Sequence, residues 1–145
     1  MYAIGQIFKF EPDTLINVEG KPRRFICLGF SFGLLYLISC SSQIDRYHHT
    51  GSFGSNPHFI LRRDGTGLAL DSVIDFIRKI ECVDEATMDR AIEQNQITEI
   101  APPIQKEQMQ KLYKTMMSKY RSEKFMQDAL TMSRINECFL QAGYK

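Results

Sequence analysis

Apolar and polar positions in the first half of the chain follow patterns typical of β-strands. The segment 4–10 (IGQIFKF) alternates between the two kinds of residue, whereas 23–30 (RRFICLGF) and 34–40 (LLYLISC) are almost continuously apolar. Continuous apolar runs of this length predict strands that are covered on both faces. The segment SFG at 31–33 predicts a turn that joins the two apolar strands in a hairpin.

Two further strands are predicted before the pattern changes near Val83. They lie at 57–63 (PHFILRR) and 70–83 (LDSVIDFIRKIECV), and a loop with two glycines separates them. Strict alternation breaks within the second segment, so we expect a bulge or a sharp bend near 76–78.

From Asp84 onward the apolar positions recur with a helical period. Asp84 is expected to cap a short first helix, and Pro102 and Pro103 suit the start of a second. A third helix is predicted at about 123–141, before Gly143. The stripe of the second helix consists of Ile104, Met109, Leu112, Met116 and Tyr120, and that of the third consists of Phe125, Ala129, Met132 and Phe139. Such methionine-rich stripes usually belong to the core, and a partner-binding groove is the alternative.

Strands followed by helices predict an α+β fold, with a small antiparallel β-barrel covered at one end. The chain has 145 residues, which is enough for one domain with its own core. Its net charge is +1, so any surface that binds nucleic acid must be local. Four separate cysteines without a CxxC pair are typical of a reducing compartment. With neither a signal-peptide pattern nor an apolar run long enough to span a membrane, we expect a cytoplasmic protein without membrane contact.

Three histidines, His48, His49 and His58, lie between the strands at 34–40 and 57–63. Adjacent residues on an extended chain point to opposite faces, which is poor geometry for one metal ion. The sequence also lacks Walker, GxGxxG, HExxH and GxSxG motifs. We therefore predict neither a metal site nor an organic cofactor.

Basic and hydroxyl side chains at the predicted strand ends favour phosphate chemistry instead. The basic residues are Lys21, Arg23, Arg24, Arg46, Arg62 and Arg63, and the hydroxyl residues are Ser39, Ser41, Ser42 and Thr50. Such groups bind a ribose-phosphate backbone, and arginine stabilises charge that develops on it. Tyr47 and Phe53 lie nearby, where bases can stack on them. The alternatives are a solvated basic rim and rings that pack the loop onto the fold.

Short stretches of the chain resemble, in order, the MazF/PemK/Kid family of ribosome-independent endoribonuclease toxins. The opening strand of that family is similar to GQIFKF, its second strand to KPRRFICLGF, and its third, which ends in a hydroxyl residue, to LISCSSQI. A short His-containing strand is similar to PHFIL. The longest similar stretch is GLALDSVIDFIRKIECVDEATMDRAI, which resembles the family's Gly-Leu, Asp-Ser-x-Ile, Arg-x-Ile and Asp-then-helix succession. The resemblance covers about residues 3–117.

This resemblance implies an SH3-like or CcdB-like antiparallel β-barrel with C-terminal helices. We expect a barrel domain at 1–121 and an additional helix packed on it at 122–145. The implied activity is metal-independent cleavage of single-stranded RNA by a homodimer, which an antitoxin protein neutralises. In that chemistry the RNA 2′-hydroxyl attacks its own phosphate and leaves a cyclic phosphate and a 5′-hydroxyl.

The resemblance also implies the site residues, position by position. Ser41 matches the third-strand hydroxyl residue and His58 the His-containing strand, while Lys21 stands where the family has an arginine before proline. Lysine lacks the planar fork of arginine, so Arg23 or Arg24 would take over that role. The expected catalytic residues are Arg23, Arg24, Ser41 and His58, and the expected RNA contacts are Lys21, Arg46, Tyr47, His48, His49 and Arg62.

Two departures from the family favour an alternative class of protein. They are Lys21 in place of arginine and the long C-terminus beyond Arg121. Both fit a non-catalytic barrel-fold protein that regulates or binds a protein partner through its methionine-rich helices.

Overall fold

The computed structural model describes residues 1–47, 54, 56–123 and 127–145. The helices in this part of the chain are α1 (Glu85–Glu93), α2 (Lys106–Glu123), α3 (Ala129–Gln141) and a short 3-10 helix (Ile44–Tyr47). The strands are β1 (Ile7–Phe10), β2 (Arg23–Ser31), β3 (Leu34–Cys40), β4 (His58–Leu61), β5 (Ser72–Asp75), β6 (Glu81–Asp84) and β7 (Ile97–Glu99).

Five strands form one antiparallel sheet in the order β6-β3-β2-β1-β7, and β4 pairs with β5 in a separate two-stranded ribbon. One backbone bridge joins the two, because Ser41 N–H donates to Val73 O at 3.0 Å and Val73 N–H donates to Ser41 O at 2.7 Å. Among the described residues no ladder links β6 to β7, so the hydrogen-bonded sheet stays open. The predicted α+β class is confirmed.

Both faces of the sheet are buried, which explains the continuous apolar runs of its central strands. Successive side chains of a strand point to opposite faces. In β2, Ile26 packs in one core cluster and its neighbours Phe25 and Cys27 in another. Helices α2 and α3 contribute to the first cluster, and α1 contributes Met88 and Ala91 to the second. The apolar sides of the helices therefore cover the two apolar faces of the sheet.

The methionine-rich stripes belong to the core. Met109, Met116 and Met132 are at most 1% exposed, and the ring of Tyr113 stacks on that of Phe139 at 4.5 Å between centroids. The core interpretation of these stripes is thus confirmed. On α3, however, Ala129 is exposed, because it lies in the first turn beside the N-cap. Phe125, predicted on the same face, lies outside the described residues.

Several predicted boundaries differ from the structure. The segment at 70–83 forms two strands, because the chain bends at 76–80 between β5 and β6, close to the bend that the pattern predicts. Asp84 caps α1 as predicted, accepting from Thr87 N at 3.0 Å. Helix α3 begins at Ala129 rather than near residue 123, since Asp128 accepts from Thr131 N at 3.1 Å and is its N-cap. No helix in the described part of the chain is both long and apolar enough to cross a membrane.

Candidate functional site

The antiparallel pairing of β2 with β3 brings basic and hydroxyl residues together at one edge of the sheet. Arg24 at the start of β2 lies opposite Cys40 at the end of β3. The residues just before β2 therefore lie beside those just after β3, although about 20 positions separate them in sequence. The bridge from Ser41 to Val73 adds β5 as the third wall.

Three adjoining cavities, which all include Arg23, form a groove at this edge. Their volumes are about 240, 220 and 120 Å³. We call this feature the basic groove, because the described residues of its walls include six cationic side chains and three carboxylates. The cations are Lys21, Arg23, Arg24, Arg46, Arg78 and Lys79, and the carboxylates are Glu19, Asp75 and Glu81. The uncharged polar residues include Ser39, Ser41, Ser42, Gln43 and Ser72.

The first cavity holds four of the predicted site residues: Lys21, Arg23, Arg24 and Ser41. Arg23 is the most enclosed of the basic groups, with 15% of its side chain exposed and an ion pair to Glu19 at 3.3 Å. Lys21 and Arg24 are exposed. The cavity therefore offers two solvated cations beside one that is fixed in place, around a serine hydroxyl.

Cys40 lies against the same cavity but is not a nucleophile. Its burial raises the pKa of the thiol to about 12, even though Arg24 and Arg23 oppose this shift by favouring the thiolate. A thiol with such a pKa stays protonated and unreactive near neutral pH. The reactive groups of the cavity are thus cations and hydroxyls.

The second cavity is arranged around the buried carboxylate of Asp75 in β5. Asp75 Oδ2 accepts hydrogen bonds from Tyr47 Oη at 2.7 Å and Asn56 Nδ2 at 3.1 Å, and its Oδ1 accepts from Ile77 N at 2.9 Å. Desolvation first, and then the bond to Asp75, raise the pKa of Tyr47 to about 12. Tyr47 is therefore held as a neutral donor, and its ring forms part of the groove wall.

His58 lies behind Tyr47 rather than in the groove. The two rings are 5.1 Å apart between centroids, and neither of the two larger cavities includes His58 in its lining. Its Nδ1 is 2.7 Å from the carbonyl oxygen of Asn56. Since a carbonyl oxygen only accepts, Nδ1 carries the hydrogen, and Nε2 is the acceptor of the neutral ring.

The remaining predicted contacts separate into three groups. Arg46 and Tyr47 line the second cavity of the basic groove. Arg62 lies in a different groove between β4 and α2, where its guanidinium is 3.3 Å from Asp71 Oδ2. Hydrogen bonding from Arg63 N first, and then the Arg62 side chain, lower the pKa of Asp71. His48, His49, Thr50 and Phe53 lie outside the described residues.

The sequence pattern did not indicate Asp75, Arg78 or Lys79 as site residues. Asp75 could have been found, because its carboxylate lies within the buried strand segment SVID. A buried charge needs polar partners, so a carboxylate at this position indicates a polar site beside the strand. Arg78 and Lys79 lie in the bend between β5 and β6, where the pattern predicts a bend but not the direction in which it points. Their place in the groove depends on tertiary contacts.

Among the described residues, no group of three or more His, Cys, Asp or Glu side chains is placed to hold a metal ion. Neither the protein-family models nor the curated protein sequences contain a match to this chain. The chemistry of the basic groove therefore carries the functional argument.

Proposed function

We propose that the protein is a metal-independent endoribonuclease of the toxin type that its sequence resembles, and that it cleaves single-stranded RNA in the basic groove. The observation that supports this most is the convergence of Lys21, Arg23 and Arg24 with Ser41 in one cavity. Cations beside a hydroxyl are what a phosphodiester in its transition state requires, because negative charge on its nonbridging oxygens increases there.

In the proposed reaction the 2′-hydroxyl oxygen of the substrate forms a bond to the adjacent phosphorus, and the bond from phosphorus to the 5′-oxygen breaks. The 2′-hydroxyl loses a proton and the departing 5′-oxygen gains one, so the products are a 2′,3′-cyclic phosphate and a 5′-hydroxyl. Arg24 and Lys21 stabilise the charged phosphorane, and Ser41 orients a phosphate oxygen. Arg23, held by Glu19, binds the phosphate in the next position.

His58 lies outside the basic groove and so away from the reacting phosphate, and in this proposal it accepts a hydrogen bond from a part of the substrate that extends past Tyr47. Nε2 is the ring nitrogen open to such a bond, since the contact to Asn56 engages Nδ1. Bases of the same substrate would stack on the Tyr47 ring. The two roles are linked, because the rings of Tyr47 and His58 are in contact.

The proposal extends to the fold and the partners. The bridge between β3 and β5 supports an SH3-like barrel, in which the ribbon of β4 and β5 closes one side of the sheet. An antitoxin with an acidic segment would cover the basic groove and exclude RNA from it, because the cations of the groove outnumber its carboxylates. We further propose that the enzyme is a homodimer.

Three described methionines of α2 and α3 do not favour the alternative of a partner-binding module. Met109, Met116 and Met132 are buried between the helices and the sheet, so they offer no surface for docking.

The test uses random-sequence single-stranded RNA in a buffer that contains EDTA. We expect cleavage to products with a cyclic phosphate, and no cleavage of DNA of the same sequence, because DNA lacks the 2′-hydroxyl. Arg24→Ala is expected to reduce the rate about 100-fold or more. Arg90→Ala in α1 removes the same charge from a residue that lines none of the three cavities, and should leave the rate unchanged. Intact RNA with the wild-type protein, or equal rates for wild type and Arg24→Ala, would contradict the proposal.

A further inference from the structure

The side chain of Gln127 makes three hydrogen bonds to the backbone of the bend between β5 and β6. Its Nε2 donates to Phe76 O at 3.0 Å and to Arg78 O at 2.6 Å. Its Oε1 accepts from Ile80 N at 3.3 Å. A primary amide is the side-chain group that can donate two hydrogen bonds and also accept one. Each polar atom of the Gln127 side chain therefore has its partner in the bend.

The same bend carries two cations of the basic groove. Arg78 lines the second and third cavities, and Lys79 lines the third. Both side chains are exposed, so contacts of their own side chains with the core do not fix their position. Lys79 Nζ is 3.6 Å from Glu81 Oε1, and the position of Arg78 depends on the backbone of the bend.

Asp75 and Gln127 both make hydrogen bonds to this backbone, Asp75 from within the same segment and Gln127 from much later in the chain. Asp75 Oδ1 accepts from Ile77 N at 2.9 Å, and Asp75 O accepts from Arg78 N at 3.0 Å. Those bonds are local and fix the start of the bend. Gln127 supplies the long-range contacts, 47 to 51 positions away in sequence, and it directly precedes Asp128, the N-cap of α3.

We infer that Gln127 is a positioning residue for Arg78. By holding the backbone of the bend, it fixes where Arg78 lies in the part of the basic groove beyond Arg23. The inference rests on the proposed function of that groove as an RNA site. Arg78 then binds a phosphate one or more nucleotides away from the phosphate at Arg24 and Ser41. Gln127 touches no substrate and acts only through the bend.

The experiment measures binding of a fluorescent single-stranded RNA of about ten nucleotides as a function of salt. For single strands, each phosphate that the protein neutralises contributes about 0.7 to the slope of log K against log salt concentration. Arg78→Ala is expected to reduce the magnitude of that slope by about 0.7. Gln127→Met, which keeps the length of the side chain but makes no hydrogen bonds to the bend, is expected to cause the same reduction. Gln127→Glu keeps the acceptor for Ile80 N but places negative oxygens against two carbonyls, so it should weaken binding at least as much.

Double variants separate positioning from a general loss of stability. Adding Arg78→Ala to Gln127→Met should change the slope no further, because the contact is already lost, whereas adding Arg24→Ala should reduce it by about another 0.7. Circular dichroism and the thermal midpoint establish that each variant is folded. The NMR signal of Arg78 Nε–Hε, identified by its disappearance in Arg78→Ala, should shift in Gln127→Met.

Gln141→Met is the matched control, since Gln141 is exposed at the end of α3 and its amide contacts only Glu137 among the described residues. It should leave both the slope and the Arg78 signal unchanged. If Arg78→Ala reduces the slope and folded Gln127→Met keeps the wild-type value, the positioning role is overturned and the RNA site stands. If the wild-type protein shows no salt-dependent RNA binding, the proposed function fails, and the inference fails with it.

Discussion

Asp75 occupies a position in β5 where the strand pattern calls for a buried apolar side chain. It is 7% exposed and lies between the buried residues Ile74 and Phe76. A buried carboxylate is stable only when hydrogen-bond donors surround it, and Tyr47, Asn56 and Ile77 supply them. The carboxylate thus connects the 3-10 helix to β5 and fixes the ring that walls the second cavity.

Tyr47→Phe removes the donor from this network without changing the shape of the ring. We expect a loss of about 1 to 2 kcal/mol in the free energy of unfolding near neutral pH, because a charged acceptor loses one of its partners. Urea denaturation of wild type and variant measures this difference.

The same pair of proteins gives a pH dependence whose sign is fixed. The pKa of Tyr47 is raised from its ordinary value of 10.0 to about 12 in the folded protein. Below 10.0 the phenol is protonated in both states, so its contribution to stability is complete. Between 10.0 and about 12 the unfolded chain releases the proton first, and the contribution declines. The stability difference between wild type and Tyr47→Phe should therefore shrink across this window, and a constant difference would show that burial and the bond to Asp75 do not raise the pKa of the phenol in the folded protein.

At the level of elements, the sequence predicted those features that depend on residues close to one another in the chain. The hairpin of β2 and β3, the bend after β5 and the cap at Asp84 all follow from residues close in sequence. Strand β7 was missed, because its three residues pair with β1, which lies about 90 positions earlier. The start of α3 was misplaced although its cap is local, because the helical periodicity of the sequence begins upstream of Asp128.

Gly29 in β2 shows how closely α3 approaches the sheet. A Cβ atom at this position would lie 2.8 Å from Cys138 Cβ and 2.9 Å from its Sγ. Gly29→Ala should therefore force the helix and the strand apart and reduce the free energy of unfolding by about 1 to 3 kcal/mol.

Gly20→Ala is the matched control for this substitution. No atom lies within 4 Å of a Cβ built at Gly20, so its effect should stay within about 0.5 kcal/mol. Urea denaturation of the two variants checks the comparison. Equal stability of Gly29→Ala and wild type would mean that α3 lies farther from β2 than the structure places it.

On the scale of the whole molecule, part of the groove was predictable and part was not. Lys21, Arg23, Arg24 and Ser41 line one cavity, because one hairpin brings the two strand ends together. Arg62 is at the end of another strand, yet it faces α2 and Asp71, and no sequence pattern states which way a strand end points. Arg78 depends on a contact with Gln127 from the far end of the chain.

The division at residue 121 into a barrel domain and an added helix is a prediction that truncation tests. Met132, Ile135 and Phe139 of α3 belong to the same core cluster as Ile26 and Leu28 of β2. A chain that ends at residue 121 would expose these strand residues to water along with the buried face of α2. We therefore expect it to lose cooperative thermal unfolding and to bind the dye ANS, as compact states without fixed packing do.

Point variants of α3 give the matched comparison for that truncation. Phe139→Ala removes a side chain that is 0% exposed and should cost about 3 to 5 kcal/mol of unfolding free energy. Leu140→Ala changes the neighbouring residue, which is 53% exposed, and should cost less than about 1 kcal/mol. If the chain 1–121 instead unfolds cooperatively at the wild-type temperature, the part of the fold before residue 122 is stable without α3. The fold would then form without the hydrogen bonds of Gln127. Packing of α3 on the sheet would not be needed to form the core that supports the basic groove.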